Sequence, residues 1–280
     1  MDAKEFQRTI LTPSLGVALL GYAETVFKPY LLWRSLGLAP PPLSIGTKPP
    51  TRALHGGGPH LSRRRRKPVF LRGTPENYDT VSEFDHWSEQ YDDAIKAFVK
   101  PIFDETFALM KPYLAETARV LDPSCGPGAN AIELARALPH GEVIAADLSR
   151  GMVETAFRSA QQARLTNMAF YQADVVKPPR PFLGYFDAIF CCLSFHHYTD
   201  AEATAQAFRR VLSRHGKVFI ADGGPEWFVA LARAISVAAD PGFVQHRTGR
   251  QFTELFTKAG FSSVFWTEPL PGIGVTIAAR

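Results

Sequence analysis

The chain has 280 residues, is 46% hydrophobic and 21% charged, and carries a formal charge of +4. That is long enough for one α/β domain plus an extension, and it excludes a disordered or fibrous protein. The charge is uneven: residues 1–72 hold 12 Lys/Arg against 3 Asp/Glu, leaving 19 against 24 beyond them, so the body lacks the excess positive charge that a groove tracking nucleic-acid phosphates needs.

The N-terminal 38 residues form an apolar extension. Residues 9–23 are uncharged, but fifteen residues fall short of the ~20 that cross a bilayer, and Pro13 and Pro29 interrupt helical continuity. A packing segment, for the domain or a partner protein, is the expected role of residues 9–36, with a peripheral membrane contact as the alternative. Residues 39–72 are rich in Pro, Gly and Arg, with Arg63 to Arg66 and Lys67 as a basic cluster; such composition buries little apolar surface and reads as a mobile linker and a solvated charge run. The three cysteines, Cys125, Cys191 and Cys192, show no disulfide-like spacing, which suits a reducing, cytoplasmic compartment.

From residue 73 the pattern becomes that of a domain. Phe84, Trp87, Tyr91, Ile95 and Phe98 recur at helical spacing among charged residues, predicting an amphipathic helix, with a second from Ile102 to Met110. Then comes the stretch that organises the rest. Val120 and Leu121 lead to Asp122, Ser124, Cys125, Gly126 and Gly128, and Ala129, Asn130 and Ala131 open a helix carrying Ile132, Leu134, Ala135 and Leu138. An apolar strand thus ends in a carboxylate, turns through two glycines and enters a helix, which is how a nucleotide-like cofactor is held at the carboxyl edge of a parallel sheet. The glycines alone fit NAD equally well. A carboxylate beside them repels a pyrophosphate and suits a cation.

Two more strands end in acids: residues 141–147 in Asp147, followed by Leu148 and the N-cap candidate Ser149, and residues 167–174 in Asp174 between Ala173 and Val175. An acid after the second strand is placed to accept from both ribose hydroxyls. Residues 186–193 read as a fourth strand containing Cys191 and Cys192, of which at most one faces a pocket. Ser194 to Tyr198 follow as a loop, and Thr199 with Glu202 spells a capping box for a helix from Ala203 to Leu212. His196 and His197 are the candidate bases for removing a proton from an acceptor. The pair has no carboxylate or cysteine at metal-ligand spacing in the sequence, so no metal is expected. Residues 216–222 give a fifth strand, Trp227 to Ala238 and Gln251 to Ala259 two helices, and residues 261–267 and 274–279 two final strands.

With Asp122, Gly126, Gly128, Asp147 and Asp174 in this order, the region from Glu83 onward resembles the class I S-adenosylmethionine-dependent methyltransferases of the small-molecule type. The resemblance implies a Rossmann-like, doubly wound α/β sheet of seven strands, mostly parallel with one antiparallel C-terminal strand and helices on both faces. It implies S-adenosylmethionine as cofactor, with Asp147 at the ribose, Asp174 at the adenine amine and backbone N–H groups beside it at the ring nitrogens. The expected cofactor-binding set is Asp122, Ser124, Cys125, Gly126, Gly128, Asn130, Asp147, Leu148, Ala173, Asp174, Val175, Cys191 and Tyr91. In that family the segment like Phe84 to Asp92 covers the cofactor, and a His-His step after the fourth strand is common across varied acceptors, which implies an orienting role for His196 and His197. The implied reaction is methyl transfer to an O, N or C nucleophile of a small apolar or aromatic molecule. The rivals are an NAD(P)-dependent oxidoreductase, for which no Tyr-x-x-x-Lys pair is present, and a non-catalytic adenosylmethionine-binding subunit.

Overall fold

The computed structural model describes residues 44–46, 60–62, 67–70, 93–239 and 242–280. The elements in chain order are β1 (Ser44–Gly46), β2 (Val69–Phe70), α1 (Asp93–Met110), β3 (Arg119–Asp122), α2 (Ala129–Ala137), β4 (Glu142–Asp147), α3 (Arg150–Gln162), β5 (Met168–Gln172), β6 (Phe186–Cys192), α4 (Ala201–Val211), β7 (Leu212–Ala221), α5 (Glu226–Ala239), α6 (Gly249–Lys258), β8 (Ser263–Leu270) and β9 (Ile273–Ala279). They build one mixed sheet in the order β1-β8-β9-β7-β6-β3-β4-β5-β2. Its seven long strands are those expected from the sequence. Among them β9 runs antiparallel to both β7 and β8, and the pairings β7-β6-β3-β4-β5 are parallel.

The central strands are buried on both faces, so they read as continuous apolar runs whose alternate residues serve opposite layers. Val120, Val143, Phe170 and Phe190 pack with Ile102 and Phe103 of α1, Leu134 of α2 and Val153 of α3. Leu121, Ile144, Tyr171 and Ile189 pack with Phe208 of α4 and with Phe252 and Phe256 of α6. Cys192 belongs to the first layer and Cys191 to the second.

The two short edge strands come from the stretch expected to be a linker. β1 pairs antiparallel with β8, and β2 pairs parallel with β5 at Tyr171 and Gln172. Between them, the backbone N–H of Ser62 donates to the buried Glu142 carboxylate, whose other oxygen accepts from the Tyr185 hydroxyl at 2.6 Å. The Leu61 N–H donates to that same hydroxyl at 3.0 Å. Three pieces of residues 39–72 are therefore docked on the domain.

Other local readings shift. The expected break before Ile102 is absent: α1 continues through Pro101, because the apolar face of Ile102, Phe103 and Met110, with Thr106 bonded to the Ile102 carbonyl at 2.7 Å, is fully packed. The missing proline N–H is a local loss that this burial outweighs. The cap of α4 is Asp200, whose carboxylate accepts from the Ala203 N–H at 2.8 Å, in place of a Thr199 capping box. Ser149 caps α3 as expected, accepting from the Met152 N–H at 3.1 Å. Phe84, Trp87 and Tyr91, the segment 71–92 and the whole of the N-terminal extension lie outside the described residues.

Candidate active site

The chain runs β3, β4, β5 outward in one direction, then returns to lay β6 on the other side of β3. That reversal opens a crevice beyond the carboxyl ends of β3 and β6, where ligands of open α/β sheets collect. The glycine turn after β3 sits there. Gly126 and Gly128 both have positive φ, 51° and 94°, but for different reasons. A Cβ on Gly128 would meet the Ala156 Cβ at 2.8 Å, so this glycine lets α2 and α3 close together, whereas a Cβ on Gly126 would meet nothing within 4 Å among the described residues. Such space beside a left-handed glycine at a helix entrance is room for a ligand to approach backbone.

Asp122 is buried at the end of β3. Burial, reinforced by the charge of Asp147, pushes its carboxyl up to about 8, against a smaller opposing hydrogen bond from the Ser124 backbone. At neutral pH the ligand-free group is mostly protonated, and a nearby positive charge would favour its ionised form. Asp147 ends β4 and ties the edge together: one oxygen accepts from the Gly126 N–H and the other from the Ser149 N–H, both at 2.9 Å. The Leu148 carbonyl accepts from the Gln172 side chain at 3.2 Å. Asp174, just past β5, folds its carboxylate onto the Val176 N–H at 2.9 Å. The Ala173 N–H is spent on the Asp147 carbonyl at 2.9 Å, which leaves Val175 as the neighbour to offer an N–H. A small apolar crevice, lined by Pro123, Ala173, Asp174, Val175 and Phe208 among others, adjoins this acid.

Across the crevice, Ser124 Oγ and the Tyr198 hydroxyl are 2.5 Å apart, and the Cys191 thiol lies 3.2 Å from Ser194 Oγ and 4.0 Å from Tyr198. Burial drives the Cys125, Cys191 and Cys192 thiols far above their ordinary range; none is a nucleophile. Asn130 bonds Cys192 from the start of α2. Leu193, immediately after β6, is held at φ 50°. A leucine there is strained, of the kind that collects at functional sites.

His196 follows on the next turn. Its Nδ1 is 2.8 Å from Asp222 Oδ2, and its backbone N–H donates to the same oxygen at 3.1 Å. The histidine pair therefore does have a carboxylate partner, correcting the expectation from sequence: Asp222 ends β7, a separate loop that spacing in the chain cannot connect to His196. Burial alone would raise the Asp222 carboxyl, but His196 and then His246 outweigh it and hold it well below the usual range. His197 turns away, its Nδ1 at 2.9 Å from the Gly242 carbonyl. The segment 242–248 is tied to the same turn, with the Val244 and Gln245 N–H groups donating to the His196 carbonyl at 2.9 and 3.1 Å.

Residues 120–216, the part holding the glycine turn and all three strand-end acids, match the family model described as a methyltransferase domain. The crystal structure of the YcgJ protein from Bacillus subtilis superposes with a TM-score of 0.50 at 25% identity, over 57% of this chain and 68% of that one. Over residues 120–216 the chain is similar to that methyltransferase-domain family. A crystal structure of a SAM-dependent methyltransferase from Aquifex aeolicus shares the domain's fold, with a TM-score of 0.56 at 20% identity over 70% of this chain and 97% of that one. Among curated proteins, demethylmenaquinone methyltransferase of Thermus thermophilus is 33% identical over 107 residues, 38% of this chain and 48% of that protein. Malonyl-acyl-carrier-protein O-methyltransferase of Geobacter sulfurreducens is 29% identical over 179 residues, 61% of this chain and 66% of that protein. The chain spans about half the length of the first curated relatives that it matches.

Of the methyltransferase domain's expected site residues, the structure gathers Asp122, Ser124, Cys125, Gly126, Gly128, Asn130, Asp147, Leu148, Ala173, Asp174 and Val175 along one edge, and buries Cys191 beneath it. Tyr91 is outside the described residues. Three residues enter the site that sequence reading did not place there: Tyr198, Asp222 and His246. Asp222 carried the same signal as the other three acids, an apolar strand ending in a carboxylate. His246 carried none.

Proposed function

We propose that the chain binds S-adenosylmethionine at the ends of β3, β4 and β5 and methylates a small acceptor held on the β6 and β7 side of the crevice. The observation that supports this best is that Asp122 and Asp147 end two adjacent strands and Asp174 follows the third, around a glycine turn with open space beside Gly126 among the described residues. A buried carboxyl poised to ionise, a second acid at the next strand and a third beside an apolar crevice suit a cation, a diol and a heteroaromatic amine in turn. They do not suit a pyrophosphate. When bound, the cofactor supplies an activated methyl group on a positively charged sulfur.

The chain's own residues then have distinct tasks. Asp122 faces the positive charge, Asp147 accepts from the ribose hydroxyls while steadying the glycine turn, and Asp174 with Val175 recognises the adenine. On the acceptor side His196, fixed by Asp222, handles the proton that an O, N or C nucleophile gives up. The protein's main contribution is alignment. Acceptors with an apolar or aromatic body fit the apolar surroundings, and the name of the demethylmenaquinone relative supports a small-molecule acceptor.

Calorimetric titration with S-adenosylhomocysteine tests the reading. The chain should bind it one to one, and Asp147→Asn should weaken binding on the order of tenfold to a hundredfold, as expected for charge-assisted hydrogen bonds. Absence of binding by the unsubstituted chain would overturn the proposal.

A further inference from the structure

Three side chains from three separate loops converge past the ends of β6 and β7: His196, Asp222 and, from the segment ahead of α6, His246. One ligand atom of each lies within 4.8 Å of the others. His196 Nδ1 is 2.8 Å from Asp222 Oδ2, and His246 Nδ1 is 3.8 Å from Asp222 Oδ1. The carboxylate is 1% exposed and the two imidazoles 11% and 12%. Ser236 Oγ, 2.9 Å from His246 Nε2, turns the other ring nitrogen toward the carboxylate. There His246 Nδ1 is buried without a hydrogen-bond partner. An orphaned imidazole nitrogen aimed at a buried carboxylate across a gap too wide for a hydrogen bond calls for a group between them.

We propose that His196, Asp222 and His246 bind a divalent first-row transition metal ion. Two imidazoles and a carboxylate are a borderline donor set that favours Zn²⁺, Co²⁺ or Fe²⁺ over Mg²⁺ and Ca²⁺. Ligands about 2.0–2.2 Å from such an ion stand roughly 3–3.5 Å apart. The separations of 2.8 and 3.8 Å bracket that range, so coordination asks Asp222 to trade its hydrogen bond with the His196 ring for the ion while the His246 ring moves inward. The backbone N–H of His196 remains to hold the carboxylate. Ser236 gives His246 the outer hydrogen bond that ligating histidines ordinarily keep. Arg247 is a cation close enough to sense the Asp222 charge, but its guanidinium lies 5.5 Å over the Phe195 ring.

Three protein ligands leave positions open, as in catalytic and not structural sites. The site stands apart from the acids of β3 to β5 and is independent of what they bind. Its role rests on the methyltransferase reading: an ion here would take up an acceptor oxygen and lower its pKa, so that the proton leaves to solvent water in place of a direct transfer to His196 and the oxyanion left behind takes the methyl group from the sulfonium. The favoured acceptors are then hydroxyl, enol or phenol compounds.

The full chain without an affinity tag, stripped with EDTA and dialysed, is titrated with Co²⁺. One equivalent should bind with visible d–d absorption. His246→Gln and Asp222→Asn should each weaken binding by about tenfold or more. Zn²⁺ should raise the thermal midpoint of the unsubstituted chain and raise that of His246→Gln by clearly less at the same concentration. No stoichiometric Co²⁺ binding, or binding that survives both substitutions, would overturn the proposal. S-adenosylhomocysteine titration of the same stripped chain separates the two readings. Binding there without Co²⁺ binding sinks the metal site alone, and Co²⁺ binding without it sinks the methyltransferase reading alone.

Discussion

At the end of β3 a single carboxyl couples stability, pH and cofactor charge. Asp122 is raised from 3.8 to about 8, so between those values the unfolded chain has released a proton that the folded chain keeps. By linkage the ligand-free domain loses stability as pH climbs from about 4 to about 8. Asp122→Asn should remove this slope and lie a few degrees above the unsubstituted chain in thermal midpoint near pH 8. The same ionisation sets ligand choice: the affinity ratio of S-adenosylmethionine to its uncharged product S-adenosylhomocysteine should rise between about pH 7 and pH 9, and stay flat in Asp122→Asn. The two glycines next to it separate packing from binding. Gly128→Ala drives a methyl into Ala156 at 2.8 Å and should cost mainly stability, whereas Gly126→Ala meets no neighbour and should cost mainly ligand affinity. Melting curves read beside calorimetry distinguish them. The acids were legible because each ends an apolar run, a local pattern. The meeting of His196 with Asp222 and His246 was not, since nothing in the sequence links three loops that only the sheet order brings together.

Caps and breaks are where element-level reading went astray, and the reasons differ. For α4, Thr199 and Asp200 are neighbours with similar capping preference, and the backbone at the end of the turn after β6 selects the aspartate. Asp200→Ala should therefore lower stability by about 1 kcal/mol, while Thr199→Ala leaves the melting curve nearly unchanged. For α1, a proline reads locally as a stop, and only the tertiary burial of Ile102, Phe103 and Met110 carries the helix past it. Strands β3 to β6 were placed within a residue or two because runs buried on both faces are hard to mistake once bounded by glycine and acid.

For the molecule as a whole, the stretch between residues 39 and 72 matters more than its composition suggests. Low apolar content predicts a tether, yet backbone pairing needs no apolar side chains, and β1 and β2 use backbone to cover both outer strands. Deleting residues 1–72 should uncover β8 and β5 and leave Glu142 without its Ser62 donor. The truncated chain should melt lower and aggregate more readily in light scattering. The pairing of Ser44 with Thr267 joins two strands that lie far apart along the chain. Contacts so distant in sequence close slowly, because the stretch between them must be ordered before they can reward it, so this border of the sheet should be the last to seal as the chain folds.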